Sequence, residues 1–177
     1  MQRAVLLLVA LATGCAESVP AAPVASATVR PDDGLARVAV IHGAAGPWAV
    51  SGYRMGRYAL ARLGLPAQSF DLEVIHRTPS MVQYSCIADG AAAATGASLG
   101  KLNLKLVDAT AADVTTTFRA RSTGRAITLR PTAAFRARFG DVPREKLPDA
   151  GREVMALSDA EIFEEVSLPP SGPAATP

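Results

Sequence analysis

The chain has 177 residues, of which 49% are hydrophobic and 19% charged, so it can bury a real core and lies far from the composition of a disordered protein. Its 18 Lys+Arg against 16 Asp+Glu give a formal charge of +2. The arginines are scattered and there are only one Trp, three Tyr and five Phe, which excludes a nucleic-acid-binding footprint.

The first fifteen residues, MQRAVLLLVALATGC, place Arg3 before an uncharged apolar run from Ala4 to Ala12, followed by Thr13, Gly14 and Cys15. That is the pattern of an export signal, and the run is too short to span a bilayer, which takes roughly 20 residues. Cys15 after Ala-Thr-Gly resembles a bacterial lipoprotein signal, with residues 1–14 removed and Cys15 lipidated. Ala16 in place of an aspartate then implies the periplasmic face of an outer membrane. Residues 15–34 hold three prolines (Pro20, Pro23 and Pro31) and few bulky apolar groups, and read as a flexible tether; residues 167–177, ending PPSGPAATP, read as a disordered tail. The expected folded domain is residues 35–166. If Cys15 carries lipid, Cys86 has no intramolecular partner.

Within that domain, Pro47 followed by WAVSGYRMGRYALARLG predicts a helix, with proline at a first helical position and Gly64 as its stop. Phe70 to His76 alternates Phe, Leu and Val as a half-buried strand would, ended by Thr78-Pro79. SCIADGAAAATG predicts a second helix, capped by Ser85 and stopped by Gly96. Three strand-like runs follow: LNLKLVD, DVTTTFRAR and RAITLRP. A short turn near Ala109–Ala112 joins the first two, and Ser122-Thr123-Gly124 makes a hairpin between the others. Short helices are expected at Thr132–Phe139 and Asp149–Leu157, and Ser158 with Glu161 forms a capping box leading into IFEEV. Helix, strand, helix, three strands and C-terminal helices make an α+β domain with a mostly antiparallel sheet.

Two motifs overlap at the end of the alanine-rich helix. Gly96-Ala-Ser98-Leu-Gly100 spells the G-x-S-x-G of a nucleophile elbow, but that turn runs from strand to helix and precedes its histidine. Here the polarity is reversed, and both histidines, His42 and His76, come before Ser98. A phosphate loop needs four residues between its glycines and Ser or Thr after its lysine. Only three residues separate Gly96 from Gly100, and Leu102 follows Lys101. Both readings fail.

The segments HGAAGPWAVSGYRMGRYALARLG, CIADGAAAATG and TGASLGKLNL together resemble the FmdE family, associated with formylmethanofuran dehydrogenase. In order, His42, Gly43, Pro47, Gly52, Arg54, Cys86, Asp89, Thr95, Gly96, Gly100, Lys101, Asn103 and Leu104 fall on that family's pattern. The chain departs from it at Ala44, where the family has a second histidine, and at Gly46 and Ala97, where it has cysteines. The family's C-terminal zinc ribbon, which some members carry, is missing too. The resemblance implies a helix–strand–helix–three-strand fold, a homodimer, and a transition-metal site.

Of the family's metal cluster, His42, Cys86 and Asp89 remain. Cys86 is expected in the first turn of its helix, where free amides and the helix dipole stabilise a thiolate, with Asp89 three residues on along the same face. His76 lies outside the pattern but can replace a lost ligand. Such a set suits zinc, with iron as the alternative. Trp48, with Tyr53 and Tyr84, would line an adjoining pocket, and Arg54, Lys101 and Asn103 would contact a small anionic ligand. Each residue also has a structural alternative: Cys86 as a small buried hydrophobe, Asp89 as a loop brace, His76 as a satisfied core histidine, Trp48 as core. The expected function is therefore a membrane-tethered binding domain without catalytic residues. The other readings are a Cys86-dependent enzyme, with a histidine base and Asp89 orienting it, and a dimerisation module packed through Ala91–Ala94.

Overall fold

The computed structural model describes residues 33–167. The signal, Cys15 and nearly all of the tether and tail lie outside the described residues. The first described element is a helix, α1 (Asp33–His42), which has little signature in the sequence. Val38 is fully buried, Leu35 packs partly on the core and Gly34 sits against the Tyr53 ring, while Val40 and Ile41 face solvent.

Helix α2 (Pro47–Leu63) begins and ends where expected, with Pro47 in its first turn and Gly64 in the left-handed conformation at its end. Helix α3 (Val82–Thr95) stops at Gly96 as expected but starts earlier than Ser85. Met81, just beyond Pro79-Ser80, takes the extended cap conformation without a side-chain bond, and its carbonyl accepts from Ser85 N–H at 3.0 Å. Lacking a polar cap, that start leaves no signature. Cys86 consequently lies one turn into the helix and not in its first turn.

α2 and α3 pack backbone to backbone. A Cβ on Gly90 would lie 1.7 Å from Ala49 O, and one on Gly52 would lie 2.0 Å from Ile87 O. The small residues Ala91 and Ala94 are buried in the same domain, so the face expected to meet a second copy is largely filled within the chain.

The sheet contains β1 (Leu72–Thr78), β2 (Leu104–Asp108), β3 (Thr115–Ala120), β4 (Ala126–Pro131) and β5 (Phe163–Glu165) in the order β2-β1-β3-β4-β5. β1 and β2 pair in parallel, with α3 as their crossover, and the other pairings are antiparallel. β2 and β3 therefore flank β1, and the turn between them crosses its end, where Ala109 N–H bonds Thr78 O at 3.1 Å. The Ser122–Gly124 hairpin forms as expected, with Gly124 at φ 71. Phe70 falls outside β1 and is exposed, but Leu72 and Val74 are buried and His76 continues that face. Leu72 and Val74, with Phe118 and Leu129, belong to the hydrophobic core.

The C-terminal elements are α4 (Ala133–Phe139), α5 (Leu147–Ala156) and α6 (Asp159–Ile162). The Glu161 carboxylate accepts from the Ser158 N–H at 2.8 Å and hydroxyl at 2.7 Å, completing the expected capping box. The chain then leaves the helix as β5, because Phe163–Glu165 finds the open edge of β4. The fold is α+β with a mostly antiparallel sheet, as expected.

Candidate functional site

α1 delivers His42 to its own C-terminal end, and the turn after it is tight, with Gly43 at φ 87. The connection is pressed onto α5, since a Cβ on Gly151 would lie 1.8 Å from Ala45 O. Gly46 and Pro47 then start α2 beside a cleft of about 340 Å³. His42, Gln83 and Cys86 line it together with the apolar Trp48, Phe139 and Leu147, and Asp141 adds a carboxylate.

His42 and Asp89 meet across 47 residues of sequence: His42 Nδ1 lies 2.8 Å from Asp89 Oδ2. With the carboxylate accepting from Nδ1–H, Nε2 is the ring nitrogen left for another partner. Cys86, a turn before Asp89 on α3, is buried and donates its thiol to Gln83 O at 3.2 Å. Burial, and then the charge of Asp89, push this thiol up to about 12. The thiolate expected from a first-turn position is thus not the resting form.

His76 stands apart from this pair. It is fully buried, its Nδ1 lies 2.9 Å from Thr116 Oγ1 and its Nε2 lies 3.1 Å from Tyr84 O. Desolvation lowers its pKa to about 4, so it is a neutral core histidine. The four side chains expected to form one metal shell do not converge: among the described residues, no group of three or more His, Cys, Asp or Glu side chains is placed to hold a metal ion.

Nor do the predicted anion contacts reach the cleft. Arg54 Nη1 donates to the carbonyls of Val154, Met155 and Leu157, and its Nη2 pairs with Asp159 at 2.7 Å, closing the end of α5. Lys101 Nζ donates to Gln68 Oε1 and Gly96 O, both at 2.9 Å. Asn103 is buried, its Oδ1 accepting from Ser98 N–H at 2.9 Å and its Nδ2 donating to Leu72 O at 3.0 Å. Trp48 is both core and wall: its indole N–H bonds Phe139 O at 2.7 Å, its ring meets Tyr84 and Phe135 edge-on, and it also lines the cleft.

The wall between α4 and α5 is a part of the site that no sequence motif marks. Gln83 Nε2 donates to Gly140 O at 2.6 Å, so Trp48 and Gln83 hold two successive carbonyls of this connection. The helix break at Gly140 is its one sign in the sequence. A family model described as "FmdE, Molybdenum formylmethanofuran dehydrogenase operon" matches residues 41–164. No curated protein matches the chain.

Proposed function

The chain belongs to the FmdE family, and from that premise we propose that it is an exported, membrane-tethered binding domain whose cleft holds a transition metal or a small metal-associated ligand. Zinc is the first choice of metal and iron the second. It is not itself a formylmethanofuran dehydrogenase. Export and tethering rest on the MQRAVLLLVALATGC segment and its Cys15.

The observation that carries the binding reading is the Asp89–His42 contact at 2.8 Å beside Cys86, with His42 and Cys86 both lining the cleft. A carboxylate behind Nδ1 is the usual support of a metal-binding histidine, and it directs Nε2 to the metal. His42 Nε2 and Cys86 Sγ are donors that suit zinc. Two protein donors fall short of the four that zinc takes, so the donor set fits a metal whose other positions are filled by a ligand in the cleft. The starts of α2 and α3 border the same space, with no acidic residue in either first turn and no side-chain cap. Their partial positive charge favours anionic groups on that ligand. The metal would bind by displacing the Cys86 proton. A thiol held near 12 argues against a resting cysteine nucleophile, and a bound metal would have to offset the same cost of deprotonation.

Elemental analysis after zinc loading tests the proposal. Near-stoichiometric metal in the wild type, lost in His42→Ala and Cys86→Ser, is the expected result. Asp89→Asn should weaken zinc affinity by about 10- to 100-fold while the protein stays folded. Wild-type protein that stays metal-free, or loading unchanged by Cys86→Ser, would sink it.

A further inference from the structure

At the other end of α3, about 20 Å along the helix from the cleft, the turn that follows Gly96 presents a surface of a different kind. Phe70, Leu99 and Leu102 are 68%, 70% and 77% exposed. They form one cluster: Leu102 N–H bonds Leu99 O at 2.9 Å, and Lys101, in the same turn, lies over the Phe70 ring at 5.1 Å. Leu102 has φ 53, a left-handed conformation that a branched side chain rarely adopts. The turn keeps it although the side chain gains no burial there.

Two cations border these tips. Lys101 is bonded to Gln68 Oε1 and Gly96 O, and Arg121 Nη2 donates to Leu102 O at 2.9 Å; neither has a carboxylate partner among the described residues. The nearby Asp71 carboxylate is taken by the N–H and hydroxyl of Ser122, at 2.7 and 2.8 Å. Exposed apolar tips from two neighbouring loops, bordered by two cations, match a lipid surface: the tips enter the acyl boundary and the cations meet anionic headgroups. No described helix is long and apolar enough to cross a membrane.

We propose that the Phe70–Leu99–Leu102 turn, with Lys101 and Arg121, docks the domain on an anionic bilayer surface. This orients the molecule whatever anchors its N-terminus, and it does not depend on what the cleft binds.

The test uses the full chain carrying Leu99→Trp, with Val40→Trp on exposed α1 as the remote control and buried Trp48 as a constant background. The probes are phosphatidylcholine vesicles with and without phosphatidylserine, and brominated lipid as quencher. The expected result is a blue-shifted, quenched indole at position 99 on phosphatidylserine vesicles and an unchanged one at position 40. Lys101→Ser with Arg121→Ser should weaken vesicle partitioning by up to about 25-fold at low salt, about fivefold per cation. A solvent-like signal at position 99 overturns the proposal, whether the chain binds vesicles through another segment or not at all. So does a dimer in sedimentation that Leu99→Ser with Leu102→Ser dissolves, which would assign the turn to a second copy.

Discussion

The two ends of α3 carry similar sequence credentials and do opposite things. The C-terminal end leads into the loop that reads as a catalytic or phosphate motif, and its polar groups serve the fold. Thr95 Oγ1 donates to Ala91 O and accepts from Ala97 N–H, Asn103 bridges Ser98 and Leu72, and Lys101 holds Gly96 O. The N-terminal end, with Cys86, borders open space together with His42, whose Nδ1 is held by Asp89 and whose Nε2 has no partner among the described residues. Both ends supply residues to the family's pattern. A pattern therefore locates the residues a fold requires, and only the accounting of their hydrogen bonds separates those used by the fold from those left for a ligand.

The helix contact beneath both ends should give the largest effect. Gly90→Ala would place a Cβ 1.7 Å from Ala49 O, a backbone atom that cannot rotate away. The helices must part, and the expected loss is on the order of 4 kcal/mol, measured by urea unfolding. Because α2 carries Trp48 and α3 carries Cys86, the same change should open the cleft and speed alkylation of Cys86. A fully stable Gly90→Ala protein would show that the helices are not fixed at this separation.

The two histidines sharpen the contrast further. His76 titrates near 4 when folded, because of desolvation, against an ordinary 6.5 when unfolded. A depressed histidine pKa means that the unfolded chain takes the proton first. Its contribution is therefore full above about pH 6.5, falls as the pH drops toward 4, and is then gone, a loss of about 3 kcal/mol. Glu73, raised by burial but held low on balance by Lys105 and Arg119, loses its contribution only as the pH falls from about 4.5, so it overlaps that window at its acid edge alone. Unfolding free energies across pH 7 to 4 should slope in wild type and flatten in His76→Gln. Equal slopes would mean that His76 is not the group responsible.

Sequence alone exposes most of this fold because its signals are local. Gly64 and Gly96 end their helices in the left-handed conformation, Gly124 turns the hairpin, and Ser158 with Glu161 starts α6. What escapes depends on partners distant in the chain. α3 starts at a methionine that makes no cap bond; β5 is a strand only because β4 offers an edge; the cleft wall at Gly140 is held by residues from α2 and α3. Of the candidate site, His42, Cys86 and Asp89 are legible as a group through the family's pattern. The burial that raises the Cys86 thiol and isolates His76 has no local signature. Arg54 and Asn103 mislead for the converse reason, and Lys101 lies away from the cleft: polar side chains at loop and helix positions look alike in sequence whether they meet a ligand or a backbone carbonyl.

The loop supplies the smallest effect and its own internal control. Asn103→Ala removes the acceptor of Ser98 N–H and the donor to Leu72 O, at a site only 1% exposed. The orphaned backbone groups should cost about 2 kcal/mol in urea unfolding. Gly100→Ala, three residues away, adds a Cβ that meets nothing within 4 Å, and should change stability by less than about 0.5 kcal/mol. Neither substitution should alter zinc loading, because neither residue lines the cleft. If Asn103→Ala left stability intact and abolished loading instead, the loop would be the working end of α3 and the cleft its scaffold.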